Sequence, residues 1–183
     1  METAWSTPSA MALPKEGYFE RVQGRYGPVY PKTPACHGVT IIAKIKPGQE
    51  DTVRDYGKAI EAAMAKDSSV LAALQLHYLR WATMSLEGAP YFLFQGIFDS
   101  DVDRYIEDGV ALFTRGGLTT AFVNLEGFPD DWRTNVEGCI RFVREHHFPS
   151  FLEYGEYPYA TSAEIRTALE VKGTLSHLLD LMQ

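Results

Sequence analysis

The side chains able to act as acids, bases or ligands gather in a few short runs: Leu76-His77-Tyr78-Leu79-Arg80-Trp81, Arg144-Glu145-His146-His147 and Glu153-Tyr154-Gly155-Glu156-Tyr157. In the first run an imidazole, a phenol and a guanidinium lie close together, a set that supplies a base, a proton donor and an anion clamp. His77, Tyr78 and Arg80 are therefore the candidate catalytic residues. A guanidinium buried in a strand needs an anion, which would be Glu153 or Glu156, a substrate carboxylate or a haem propionate. A single imidazole suffices as an axial haem ligand, so His146 is the candidate cofactor residue and His77 the alternative. The competing reading makes His77 a core histidine bonded to a backbone carbonyl, and makes His146 and His147 caps of a helix C-terminus.

Other chemistries lack their usual marks. The histidines, His37, His77, His146, His147 and His177, never fall at the i, i+4 spacing of a helical zinc pair, and no metal ligands are assigned. Asp99-Ser-Asp101-Val-Asp103 imitates the start of a calcium loop, but Arg104 stands in place of the turn glycine and Val110 in place of the bidentate glutamate. It reads as helix capping. Glycine-rich phosphate loops, Gly-x-Ser-x-Gly elbows and Cys-x-x-Cys pairs do not occur.

Hydrophobic periodicity defines the elements that must position these groups. Val39 to Lys46 is a β-branched strand ending at Pro47-Gly48. Val53, Tyr56, Ile60 and Met64 then form one face of a helix. Leu76–Leu86 and Tyr91–Phe98 flank Glu87-Gly88-Ala89-Pro90 and predict a hairpin, with His77, Leu79, Trp81 and Thr83 on one face and Leu76, Tyr78, Arg80, Ala82 and Met84 on the other. A second helix is capped by Ser100 and carries Val102, Tyr105, Ile106 and Leu112. A third spans about Asp131 to Glu145, a fourth strand runs from about Phe151 to Tyr157, and Thr161-Ser-Ala-Glu164 is a capping box opening a last helix with Ile165, Leu169, Leu179 and Met182 buried. This order predicts an α+β fold, a ferredoxin-like βαββαβ antiparallel sheet with helices on one face and extra C-terminal helices. The domain covers residues 37–183. Residues 1–36, rich in proline and glycine, predict an extended N-terminal arm.

A chain of 183 residues suits one domain with a real core. With ten Phe, ten Tyr and three Trp, that core or a pocket within it must accept large flat side chains. The net charge of −7, without a dense basic block, argues against nucleic acid. No run reaches membrane-span length, and the first residues lack a basic and apolar leader, so a membrane partner is not expected. Cys36 and Cys139, isolated in sequence, fit a reducing, cytoplasmic setting.

In element order the chain resembles the dimeric α/β-barrel group, in which two ferredoxin-like sheets face each other and which includes antibiotic-biosynthesis monooxygenases, chlorite dismutases and dye-decolourising peroxidases. It is also similar to a poorly characterised family of this type through Leu76-His-Tyr-Leu-Arg-Trp81, Phe92-Leu-Phe-Gln-Gly-Ile-Phe-Asp99, Asp103-Arg-Tyr-Ile-Glu-Asp108, Asn124-Leu-Glu-Gly-Phe-Pro129 and Phe142-Val-Arg-Glu-His146 leading into Tyr154-Gly-Glu-Tyr-Pro158. The resemblance picks out His77, Arg80, Asp99 and His146 and implies a homodimer. The function expected is a monooxygenase- or peroxidase-like oxidoreductase acting on a small apolar or aromatic molecule, with haem as the leading cofactor. The alternatives are a non-catalytic dimerisation or partner-docking module, and a cofactor-free lyase or oxygenase.

Overall fold

The computed structural model describes residues 22–29, 37–150, 155–157 and 160–182. Its main sheet is built from β3 (His37–Lys44), β4 (Leu76–Leu86) and β5 (Ala89–Phe98), all antiparallel neighbours in the order β3-β5-β4. The chain leaves β3, crosses through α1 (Glu50–Lys66) to the far edge at β4, and returns through the centre as β5. This split arrangement leaves β3 and β4 parallel with β5 between them. The β4–β5 turn is tighter than expected. Only Glu87 and Gly88 connect the strands, at φ 51° and 77°, the two positive values that match a hairpin's twist.

The faces follow the pleat. Val39, Ile41 and Ala43 of β3 and Phe92, Phe94 and Phe98 of β5 are buried on the side that carries the helices. Val53 and Ile106, from α1 and α2 (Val102–Arg115), join them, as do Ile140, Phe142 and Val143 of α3 (Val136–His146). Thr40, Ile42, Leu93, Gln95 and Ile97, in the opposite register, remain half-buried on the other face.

Several expectations need correction. The alternation assigned to β4 breaks at its start, because the pairing jumps from Leu76↔Phe98 to Tyr78↔Ile97 and leaves His77 as the extra residue of a bulge. Leu76 therefore packs on the core instead of sharing a face with Tyr78 and Arg80. Asp101, not Ser100, caps α2, its carboxylate accepting the Arg104 amide at 3.0 Å. The segment from Asp131 to Asn135 is a turn, and α3 begins only at Val136 with Asn135 as its cap. Within the arm expected to be extended, β1 (Val22–Gly24) and β2 (Gly27–Val29) form an antiparallel hairpin; the remainder of residues 1–36 lies outside the described residues.

The expected fourth strand falls largely at residues 151–154, outside the described residues, and Glu156–Tyr157 form a bend. His147 bridges Ile41 on the edge of β3 away from β5, with the Phe148 amide donating to the Thr40 carbonyl at 2.8 Å. The last helix, α4 (Ser162–Leu181), has its capping box but none of its expected burial. Leu169, Leu179 and Met182 are 62%, 52% and 76% exposed, and no residue of the helix is buried. No described helix is long and apolar enough to cross a membrane.

Candidate functional site

Where the helices lie on the sheet, large side chains meet without filling the layer. Trp81 packs edge-on against Phe92 with ring centroids 5.7 Å apart, Phe92 against Phe122 at 5.8 Å, and Phe128 against Phe142 at 5.2 Å and 90°. The layer holds a cavity of about 100 Å³. Its walls come from all the layers: Val39 and Leu79 from the sheet, Ile60 from α1, Phe113 from α2, Val143 from α3, and Trp132 from the preceding turn.

Four side chains give this apolar cavity a little polarity. Trp81 lines it, and its indole N–H is buried without a hydrogen-bond partner among the described residues. Thr120 accepts the Phe122 amide at 3.4 Å, leaving its hydroxyl proton free to turn. The Cys139 thiol contacts the Trp132 carbonyl at 3.6 Å, and burial, aided by nearby Asp131, pushes its pKa up to about 11. Tyr105 stacks flat on Phe98 at 4.0 Å, and burial raises its phenol well above the ordinary value. At neutral pH every one of these groups is uncharged. The cavity can therefore desolvate an apolar molecule and offer weak donors to an acceptor atom, but it contains no ready base.

The residues singled out from sequence lie elsewhere. His77, carried outward by the bulge, places Nε2 2.5 Å from Asp99 Oδ1, with both side chains largely buried. Asp99 Oδ2 accepts the Ser162 amide at 2.8 Å and its hydroxyl at 2.7 Å. The three residue types match a hydrolytic triad but their order does not. Activation of a serine requires the histidine in the middle, whereas here the carboxylate sits between the other two and ties β4, β5 and the start of α4 together.

Tyr78 and Arg80 are exposed on the open sheet face, where Arg80 Nε donates to the Tyr78 hydroxyl at 3.0 Å and the guanidinium lies 5.4 Å from the ring centroid. Arg80 is thus not the buried cation the sequence implied, and needs no internal anion. Glu153 lies outside the described residues and Glu156 is exposed. His146 ends α3, half-buried and stacked on Phe142 at 4.0 Å, with Nδ1 2.9 Å from the Phe142 carbonyl. His147 is buried and its Nδ1 lies 3.1 Å from the Thr40 carbonyl, so it is not the solvent-facing cap expected. Burial lowers its pKa, against the opposing pull of that carbonyl.

The structure therefore brings His77 to Asp99 and Tyr78 to Arg80, but none of His77, Tyr78, Arg80 or His146 lines the cavity. Haem does not fit there. Even drug-sized ligands occupy roughly 300–1,000 Å³, and neither candidate axial imidazole borders the space. No cluster of three or more metal-binding side chains occurs among the described residues.

Sequence reading missed one further buried pair, Asp103 and Arg144, joined at 2.6 Å across α2 and α3. The signal was present: Asp103 adjoins Val102 and lies three residues before Ile106, while Arg144 adjoins Val143 and follows Ile140 by four, so both charges fall in phase with an apolar stripe. Comparison of the chain with protein-family models, curated proteins and solved structures finds no match.

Proposed function

We propose that this protein binds a small apolar or aromatic molecule in the cavity between sheet and helices. The observation that carries the reading is the cavity itself, walled by aromatic and aliphatic side chains. An apolar cavity of comparable size stays dry and admits benzene or xenon, which sets the scale of the occupant. Charged or sugar-like molecules would be desolvated without compensation.

In this reading the fold is ferredoxin-like, and the open sheet face meets the same face of a second copy. The His147–Ile41 bridge and the apolar Ile42, Leu93 and Ile97 on that face support it. Oxidoreductase chemistry on the bound molecule is the step the barrel resemblance adds.

The test is a titration with benzene and with indole, followed by calorimetry and by NMR shifts of the aromatic cluster, on the wild type and on Val110→Phe, which fills the cavity from α2. Saturable binding of either probe, lost in the variant, is expected. No saturable binding of either probe, or equal binding by a folded variant, would remove the cavity as the site.

A further inference from the structure

We propose that α4 is an association helix that pairs antiparallel with the α4 of a second copy. The helix is 20 residues long, about 30 Å at 1.5 Å per residue. It is held at its first turn by the Thr161–Glu164 capping box and by the two bonds from Ser162 to Asp99, and no residue in it is buried. In proteins most helical stability comes from packing of an amphipathic face. Leu169, Val171, Leu175, Leu178, Leu179, Leu181 and Met182 are all more than half exposed. All but Leu181 fall on one side of the helix with Ile165 and Ala168, while Arg166, Glu170, His177 and Asp180 mark the other.

The pattern itself selects the occupant. In heptad terms Ile165, Lys172 and Leu179 are a positions, and Ala168, Leu175 and Met182 are d positions. Two such helices laid antiparallel about a two-fold axis midway between Lys172 and Leu175 oppose every a with a d of the other copy: Ile165 with Met182, Ala168 with Leu179, and Lys172 with Leu175. Small Ala168 meets large Leu179, and the flanking Val171 meets Leu178. A parallel pair would instead set Lys172 against Lys172, burying two like charges side by side. The single polar a position thus tolerates the antiparallel arrangement and penalises the parallel one. The contact is isologous, as closed symmetry requires, and independent of the sheet face invoked above.

Cysteine cross-linking in a Cys36→Ser background tests it. The Ala168→Cys/Leu179→Cys variant should form a covalent dimer under mild oxidation, while each single variant stays uncrosslinked alone and a mixture of the two singles cross-links. Sedimentation equilibrium supplies the second readout. Leu175→Asp, an exposed position that leaves the fold intact by circular dichroism, should lose the α4-dependent association and halve the mass of the associated species. Lys172→Leu should tighten it. Cross-linking of Ala168→Cys alone, an unchanged mass for Leu175→Asp, or a double variant that never cross-links would each overturn the proposal, the last pointing to a different protein or a lipid surface on this face. None of these results depends on whether the cavity binds benzene, so the two readings stand or fall separately.

Discussion

The buried Asp103–Arg144 pair gives a prediction whose pH dependence is set by which partner is removed. The two side chains are 9% and 13% exposed and their charged atoms lie 2.6 Å apart. Burial is the largest influence on Asp103 and raises its pKa, outweighing the stabilisation of its charge by Arg144. A carboxyl raised in the fold contributes stability that is complete below its ordinary pKa and is lost as pH rises through the raised value. The ionised pair is therefore a net cost relative to solvated groups, as expected when desolvation exceeds Coulombic gain. Asp103→Leu takes the carboxylate from a buried guanidinium that cannot deprotonate, and should destabilise by about 3–5 kcal/mol at every pH. Arg144→Met strands a carboxyl that can take up a proton, so a similar loss of about 3–5 kcal/mol at neutral pH should shrink on acidification towards pH 4. Asp103→Leu combined with Arg144→Met should return to within about 2 kcal/mol of the wild type, or exceed it. Urea denaturation of all four proteins at pH 4.5 and 7.5 supplies the cycle. Two single losses that simply add in the double variant, with no pH dependence in Arg144→Met, would refute the reasoning.

Other outcomes follow from individual groups. The lowered pKa of His147 means that its contribution to stability is complete above the ordinary imidazole pKa and is lost as pH falls through the lower native value; His147→Gln should flatten the acid limb of a melting-temperature profile below pH 6.5. With its pKa pushed up to about 11, Cys139 should react with a thiol reagent at neutral pH only as fast as the protein opens, so its labelling rate should rise with urea. Asp99→Ala removes the acceptor of both Ser162 bonds and the partner of His77, and should cost about 1–3 kcal/mol while stripping hydrogen-exchange protection from the first turns of α4. Gly27→Ala should free the β1–β2 hairpin, because φ is +137° and a Cβ would lie 2.5 Å from Arg144 Nη1; the readout is the environment of Tyr26, which packs against the core.

The elements of the sheet and their pairing partners were legible because period-two alternation and a Gly-containing link are local signals. Phe92, Phe94 and Phe98 share one face, with Gly96 between the last two, and the structure buries all three. The face of His77 was not legible, since a bulge depends on how β4 must meet β5 and leaves no mark in the strand's own residues. That single extra residue turns His77 toward Asp99, a partner from the end of the next strand. The cavity was visible only as an excess of aromatics. Its walls come from Phe94, Phe113, Phe122 and Phe128 on separate elements, and no sequence spacing encodes how those rings meet.

The largest misreading, the buried last helix, has a physical cause that bears on function. Amphipathic periodicity reports that a stripe will be covered, without saying whether the cover is the same chain. Ile165, Leu169, Leu175, Leu179 and Met182 satisfy the pattern of a core-facing helix, yet the domain completes its own core with Ile140, Phe142 and Val143 of α3 and leaves α4 outside. The position of Lys172 separates the two cases. A helix docked on its own sheet gains nothing from a lysine amid its stripe, whereas a self-pairing helix uses it to select one orientation over the other.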